Sequence, residues 1–501
     1  MFNGIKNFIT RWGQRLGIID KLKELKDHEE IIVNDDFYNK LKVWRELYRG
    51  FHDDFHLIEE NTLEGVRERK IYTLGLPKVI ANEMATLIFN ERAEISVSDE
   101  KFGEYIQQVL KDNKFNSRFQ NALEYMFALG GMVIKPYYEN GKIKISFVTA
   151  DCFYPTQWNA QGEIQGGVFL SEMQRNGKHY THLEFHQFEN GQYVVKNELY
   201  KSDNDLVIGK KVPLTELFQD LEEYVVFNDL KRPLFVYTKP NIANNIDTTS
   251  PLGISLYANS LSTIKAADRK YDSLMNEFEL GRKRIVVPEH MVQVRVDEFK
   301  GTAKRLFNTR DSIYEAFKYD QDSNDANTIK EIDFNLRVDE HINAINSELE
   351  LLAMKIGLSP GTFSYTAAEG LKTATEIISA NSKTFRTKQS HENEVEQAIA
   401  SMVEVIGILS ELYGITTHPE EYEVTAFFDD SIIQDTDAKI DQQIKLVAAE
   451  FQSRVRAIKE IFGLTKEEAE LRVLEINQEK LGSMPDFQQL QQQSSLFGGT
   501  E

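Results

Sequence analysis

The chain has 501 residues, 41% hydrophobic and 11% aromatic, enough for roughly two to four folded units. Its formal charge of −21 excludes a protein that grips nucleic acid over a broad basic surface. The single cysteine, Cys152, excludes an internal disulfide or a cysteine-rich zinc site and fits a reducing compartment.

Residues 1–27 read as a basic amphipathic helix, with Ile5, Phe8, Ile9, Trp12, Leu16 and Ile19 at helical spacing. Arg11, Arg15 and the Lys21, Lys23, Lys26 cluster interrupt any signal-peptide core, so a non-secreted protein is expected. Residues 60–130 read as mainly helical, with Leu76-Pro77 as a helix start. Asn140-Gly141, Asn176-Gly177 and Asn190-Gly191 then punctuate the strand-like runs Lys142–Val148, Tyr180–Phe188 and Gln192–Tyr200. Asn-Gly favours the left-handed backbone of two-residue hairpins, so an antiparallel sheet is predicted, continuing at Tyr224–Phe227 and Leu234–Tyr237.

After a breaker-rich stretch at 241–253, Tyr257, Leu261, Ile264, Asp268, Tyr271, Met275 and Phe278 step alternately by four and three. That is a heptad-like stripe with one acidic interruption, predicted to end at Gly281. Arg282, Lys283 and Arg284 follow; they suit the negative end of that helix, a phosphate or a partner protein. Residues 282–337 mix strand and helix character. A second stripe, Val338, Ile342, Ile345, Leu349, Leu352 and Ile356, stops at Gly357-Leu358-Ser359-Pro360-Gly361. Two such helices pack on each other or on copies of themselves. A loop through Thr362, Phe363, Ser364, Tyr365, Thr366 and Gly370 leads to a helix from about Lys372 to Tyr413, whose polar first part suits a crossing between units or a wet subunit interface. A strand and acidic turn are expected at 421–434, helices at 435–480, and a disordered tail at 488–501.

No local motif carries chemistry. Lys372-Thr373 lacks the glycines of a phosphate loop, with Thr366 and Leu371 where they belong. His52 and His56 have zinc-compatible spacing without the His-Glu-x-x-His pattern, and Asp429, Asp430, Asp435 and Asp437 fit helix capping better than a calcium loop. No cofactor or metal and no enzymatic activity are expected. The longest apolar stretch, Ala400 to Gly414, contains Glu404 and Glu411, short of the roughly 18–20 apolar residues a membrane helix needs.

The strings Ile264-Lys265-Ala266-Ala267-Asp268-Arg269-Lys270-Tyr271-Asp272, Leu336-Arg337-Val338-Asp339-Glu340-His341-Ile342, Gly357-Leu358-Ser359-Pro360-Gly361-Thr362-Phe363 and Lys372-Thr373-Ala374-Thr375-Glu376-Ile377 occur in a characteristic order. In that order and spacing the chain resembles the portal proteins of long, non-contractile-tailed phages of Gram-positive bacteria. The resemblance implies an α+β, mainly helical, portal-type fold with wing, stem, clip and crown regions, assembling into a ring of about twelve subunits at a capsid vertex. Residues 1–250 would form an N-terminal arm and α/β wing, 251–281 and 338–356 the stem helices, and 282–337 the clip. Residues 357–371 would be the tunnel loop, 372–434 a long wing helix and strand, 435–480 the crown, and 481–501 a flexible tail.

On that resemblance the stem packs through Tyr257, Leu261, Ile264, Tyr271, Met275, Phe278, Val338, Ile342, Ile345, Leu349 and Leu352. Ser359, Gly361, Thr362, Phe363, Ser364, Tyr365, Thr366 and Lys372 line the channel, and Arg282, Lys283 and Arg284 dock partners at the clip. Implied partners are further copies of the chain, double-stranded DNA, the terminase large subunit, major capsid and scaffolding proteins, and a head-completion adaptor, with no membrane. The protein would belong to the virion, and to the host cytoplasm during assembly. The rival readings are another head-tail connector or minor capsid protein, or a packaging ATPase or nuclease.

Overall fold

The computed structural model describes residues 35–62, 65–89, 93–205, 207–281, 284–288, 294–297, 302–305, 314–317, 330–332, 335–364, 374–428, 436–462 and 466–482. The amphipathic stretch 1–27, Arg282, Lys283, Tyr365, Thr366, Lys372, Asp429, Asp430, Asp435 and the tail expectation at 488–501 lie outside the described residues. The chain divides into two compact units: residues 1–369 with 381–428, and residues 370–380 with 429–501.

The first unit is mixed helix and sheet. It begins with α1 (Asp35–Tyr48), whose Phe37, Tyr38, Leu41 and Trp44 recur on one face and are all buried. A short α2 (Asp53–His56) leads into a hairpin of β1 (Leu57–Thr62) and β2 (Gly65–Lys70). The helical reading of 60–130 is therefore corrected over 60–62 and 65–70: Gly65 has a φ of +126°, which suits a turn, and Glu60 faces Arg67 across the two strands. Beyond it, α3 (Leu76–Ile88) starts at Leu76-Pro77 as predicted. There follow β3 (Glu94–Val97), α4 (Glu100–Asp112), with Asp99 accepting from the Phe102 amide as N-cap, and α5 (Phe115–Leu129).

Strands β4 (Met132–Glu139) and β5 (Lys142–Thr149) pair antiparallel, as do β6 (Phe153–Trp158), β7 (Ile164–Arg175), β8 (Lys178–Glu189) and β9 (Gln192–Ser202) in succession. Three of the turns are the Asn-Gly pairs, with φ between +49° and +82° at Asn140, Gly141, Asn176, Gly177, Asn190 and Gly191. That is the twist-matched hairpin geometry the dipeptides demand. β10 (Lys210–Val212) and β11 (Tyr224–Phe227) both pair with β9, and β12 (Val236–Thr238) pairs with β4.

A buried charged chain joins the three-stranded sheet β12-β4-β5 to the larger sheet that holds β8 and β9. Lys135 donates to Glu184 Oε1 at 2.9 Å, and His186 Nε2 lies 2.8 Å from the same oxygen. The Leu234 amide donates to the Tyr193 hydroxyl at 3.0 Å, so that hydroxyl's proton goes to His186 Nδ1, 2.7 Å away. His186 is therefore the neutral Nε2–H tautomer. Burial would raise the Glu184 carboxyl, but the Lys135 charge and the His186 hydrogen bond hold it well below the usual carboxylate range.

The helix α6 (Leu261–Leu280) follows a single turn at Ala258–Ser260. The segment after it contributes β13 (Arg284–Pro288), β14 (Val294–Asp297), β15 (Thr302–Arg305), β16 (Tyr314–Phe317) and β17 (Lys330–Ile332). β13 pairs with β16 in parallel and with β17 antiparallel, and β14 pairs with β15. The elements described within 282–337 are strands, and the helical part of the expectation there lies outside the described residues. Then come α7 (Val338–Lys355), α8 (Ala374–Leu412) and β18 (Val424–Phe427), which pairs with β3. The second half of α8 is buried in the unit's main core through Val395, Ile399, Met402, Val403, Ile406 and Leu409. Residues 374–380 at the start of α8 group with the second unit. That unit's helices are α9 (Thr436–Ala448), α10 (Arg454–Phe462) and α11 (Lys466–Gly482).

Candidate functional site: a helical hairpin and the loop that leaves it

Helices α6 and α7 lie antiparallel. Three polar bridges cross between them: Lys355 Nζ to Thr263 Oγ1 at 2.8 Å, Lys270 Nζ to Glu348 Oε1 at 2.7 Å, and Glu277 to His341 Nε2 at 3.8 Å. Positions 263, 270 and 277 advance by seven, while 355, 348 and 341 retreat by seven. A heptad advance keeps each residue on the same edge of the facing helix, so the bridges form a ladder beside the apolar stripe. Arg337 strengthens the far end: its Nε and Nη2 lie 3.1 and 2.9 Å from the Glu277 carboxylate, whose pKa they pull down to about 2.

The apolar stripe behaves differently along its length. Ile264, Ala267 and Leu274 on α6, with Ile345, Leu349, Leu352 and Ala353 on α7, are buried. Leu261, Tyr271 and Met275 are half-buried against the same core, and Val338 and Ile342 are half-buried. Two expected stripe residues fall elsewhere. Tyr257 precedes α6, in the turn, and its hydroxyl donates to the Trp44 carbonyl at 2.9 Å. Phe278 is 45% exposed.

The acidic interruption, Asp268, has a specific task. It and Asp272, one turn later, form a buried acidic edge that holds the segment entering and leaving the β1–β2 hairpin. Asp272 receives both Arg69 Nη atoms at 2.8 Å and the Tyr72 amide at 2.9 Å. Asp268 receives the Leu74 amide at 2.8 Å and faces His56 Nε2 at 3.7 Å. His56 Nδ1 accepts from the His52 amide, so the zinc-compatible pair serves a turn. Burial would raise the Asp272 carboxyl, but Arg69 and the Tyr72 amide outweigh it and leave the pKa lowered.

The α6 C-terminus requires its glycine. A Cβ on Gly281 would collide with the Leu336 side chain and the Glu277 carbonyl. The α7 C-terminus is a Schellman motif: the Leu358 amide donates to Ala353 O at 2.8 Å, the Gly357 amide to Met354 O at 3.4 Å, and Gly357 has a φ of +86°.

The start of the loop is tied to α8. Ser359 is buried; its amide donates to Thr384 Oγ1 at 2.8 Å, and Thr384 Oγ1 lies 3.0 Å from Ser359 Oγ. Thr387 Oγ1 donates to Gly357 O at 2.6 Å, and Lys383 Nζ to Met354 O at 2.6 Å. The Ser359 hydroxyl is thus engaged within the chain. Gly361, Thr362 and Ser364 are exposed, and Phe363 packs half-buried against the core. Arg284 opens β13.

The heptad bridges through Thr263, Lys270 and Glu277 escaped the sequence reading, which tracked apolar positions only. Their signal was present as polar residues at seven-residue intervals on the flank of each stripe. Among the described residues no cluster of histidine, cysteine or carboxylate side chains could hold a metal ion, and no helix is long and apolar enough to cross a membrane.

Among solved structures, a chain from the virion of a native gene transfer agent particle is similar at 12% identity and a TM-score of 0.42, covering 78% of this chain and 89% of that one. No curated protein sequence matches. The family described as "Phage portal protein, SPP1 Gp6-like" matches residues 27–481, which takes in the α6–α7 hairpin, the loop after it and the helices α8 to α11. The chain therefore belongs to the SPP1 Gp6-like phage portal protein family.

Proposed function

We propose that this portal-family chain is the repeating subunit of a closed ring of about twelve copies at one capsid vertex, with a central channel for double-stranded DNA. The α6–α7 hairpin is the stem, β13–β17 form the clip, and α9–α11 belong to the crown. The wing comprises the sheets and helices before residue 250. The clip, with Arg282, Lys283 and Arg284, docks the terminase large subunit during packaging and a head-completion adaptor afterwards. Capsid and scaffolding proteins contact the wing.

One observation carries the ring reading. The hairpin leaves Phe278, Leu280, Leu336, Leu351 and Met354 exposed, with Leu280 at 64% and Met354 at 53%. Apolar side chains at both ends of an otherwise packed helix pair call for cover, and a neighbouring copy of the hairpin offers a matching surface. The channel reading is supported by the exposure of Gly361, Thr362 and Ser364, with the Thr362 hydroxyl donating to Ser359 O at 2.7 Å, and by the acidity of the whole chain, which disfavours adhesion of DNA to the walls. The role is structural, with no catalytic step.

Electron-microscope class averages of the purified protein test the ring. Closed particles with a central hole and roughly twelve-fold symmetry are expected; a monomer that persists at high concentration overturns the reading. Heads assembled with Tyr365→Ala test the channel. Rings should form normally while packaging or retention of DNA falls, and normally filled heads would remove the loop from the proposal.

A further inference from the structure

Within the first unit, a cleft of about 580 Å³ opens between β12, the β6–β7 turn and the middle of α8. That is the size of a site for a small ligand or a short peptide segment. One wall is β12 with its preceding residue, Phe235 to Thr238, and the opposite wall is the α8 face of Glu394, Gln397, Ala398 and Ser401. Strand β12 ends its sheet: it pairs with β4 in the order β12-β4-β5, and among the described residues no strand follows on its other side. Backbone groups alternate between the two sides of a strand, so part of the N–H and C=O set of 236–238 faces away from β4. Such an edge is a template for one more extended strand.

Charge indicates what that strand carries. In a chain of charge −21, the cleft gathers Lys231, Arg232 and Lys239. Lys231 is exposed. Arg232 gives Nη1 to Glu404, but its Nε is buried and has no hydrogen-bond partner among the described residues. Lys239 is half-buried; its Nζ donates to a neutral acceptor, Pro251 O, at 2.8 Å, and burial lowers its pKa against the pull of Glu394. An unpaired buried donor and an ammonium partly removed from water both gain from a carboxylate. Of the two acids in the lining, Glu163 is already held by Asn159 Nδ2 at 2.6 Å. The same cleft has an apolar lining in Ile164, Phe235, Val236 and Ala398, all buried. A strand that alternates acidic and apolar side chains presents one kind to each side, which suits such a mixed wall. Free phosphate would use the cations but neither the strand edge nor the apolar lining.

We propose that this cleft takes an extended, acidic peptide segment of another protein of the particle, which adds a strand to the outer edge of β12 and sets its carboxylates against Lys231, Arg232 Nε and Lys239. That the partner belongs to the particle rests on the portal reading above. The cleft itself lies within one copy and needs no ring.

The probe is a fluorescent, end-blocked pentapeptide alternating valine with glutamate, titrated by anisotropy into the full-length chain as dilute monomer and as isolated ring. Binding should saturate, weaken with salt and slow amide exchange at 235–239. A valine–glutamine peptide, and a glutamate peptide N-methylated along its pairing edge, should each bind roughly tenfold more weakly or worse. Lys231→Glu should weaken binding roughly fivefold or more. Its melting temperature should not change, because the side chain is exposed. Lys239→Gln keeps a donor for Pro251 O and should weaken binding likewise. Equal affinity for glutamate and glutamine peptides, or for methylated and unmethylated ones, overturns the proposal. So does inorganic phosphate that displaces the peptide at peptide-like concentration. Binding to neither form overturns it and leaves the ring standing. Binding to monomer but not to ring makes a neighbouring copy the occupant and overturns the separate partner. Binding to a chain that never forms rings overturns the ring reading and leaves the cleft.

Discussion

The Ser359 amide donates to Thr384 Oγ1 at 2.8 Å, and the two hydroxyl oxygens lie 3.0 Å apart in a site closed to solvent. Twenty-five residues separate them in the chain. The contact fixes where the loop departs from the helical hairpin, and it does so with hydrogen bonds to buried groups that have nowhere else to turn.

Thr384→Val removes the acceptor of the Ser359 amide while keeping the side-chain volume. Leaving that donor buried and unpaired should cost about 1–3 kcal/mol. Urea unfolding measures the loss, and exchange at 357–364 should quicken with it. Thr384→Ser retains the hydroxyl and should be nearly silent; an equal loss in both variants would show that packing, not the hydrogen bond, matters there.

Asp272→Asn tests the acidic edge of α6. The amide cannot match two charge-assisted contacts from Arg69, which keeps Glu60 at 2.5 Å as its remaining partner. A loss of about 2 kcal/mol is expected. Because an isolated two-stranded hairpin is marginal in water, exchange in 57–70 should rise more than elsewhere. Unchanged exchange in the hairpin would remove Asp272 as its anchor.

Gly281→Ala places a methyl group against Leu336 and the Glu277 carbonyl, and should destabilise by about 1–3 kcal/mol. Leu336→Ala in the same chain relieves one of the two clashes and should recover part of that loss. A thermal melt of the single and double variants gives the comparison. Gly281→Ala with no cost would mean that the end of α6 moves freely.

Acid should weaken the fold before ordinary carboxylates titrate. Burial depresses His182 and His391, each from 6.5 to about 4. The unfolded chain then binds protons that the folded chain refuses, so stability is full above about pH 6.5 and declines as pH falls toward 4. Each histidine accounts for roughly 3 kcal/mol by pH 4. Glu184, held low by Lys135 and His186, adds a further loss below the ordinary carboxylate pKa. Urea midpoints at pH 7, 6 and 5 should fall in order, and His182→Gln should flatten the slope. A midpoint independent of pH over that range would contradict the buried neutral state.

The sequence by itself determined the features with a local cause. Asn140-Gly141, Asn176-Gly177 and Asn190-Gly191 turn because two consecutive left-handed residues suit the strand twist, wherever the hairpin sits. Leu76-Pro77 starts a helix, and Gly357 ends one, for equally local reasons. The apolar stripes of α6 and α7 were legible too, because helical period and apolar count suffice to foretell a packed pair.

Only the tertiary structure decided what depends on residues far apart in the chain. Asp268 read as a flaw in a stripe until Leu74 and His56 appeared beside it. Ser359 read as a channel hydroxyl until Thr384 closed over it. The hairpin from residue 60 onward read as helix because short runs of charged residues carry no clear period, and its strands are set by cross-strand pairing and by the Arg69–Asp272 anchor. Helices were expected at 435–480 and α9–α11 lie there, but it was not expected that Ile444, Phe451, Phe462, Leu471 and Leu474 would stand exposed. Pattern reports which side of a helix is apolar; what covers that side is a property of the packed three-dimensional chain.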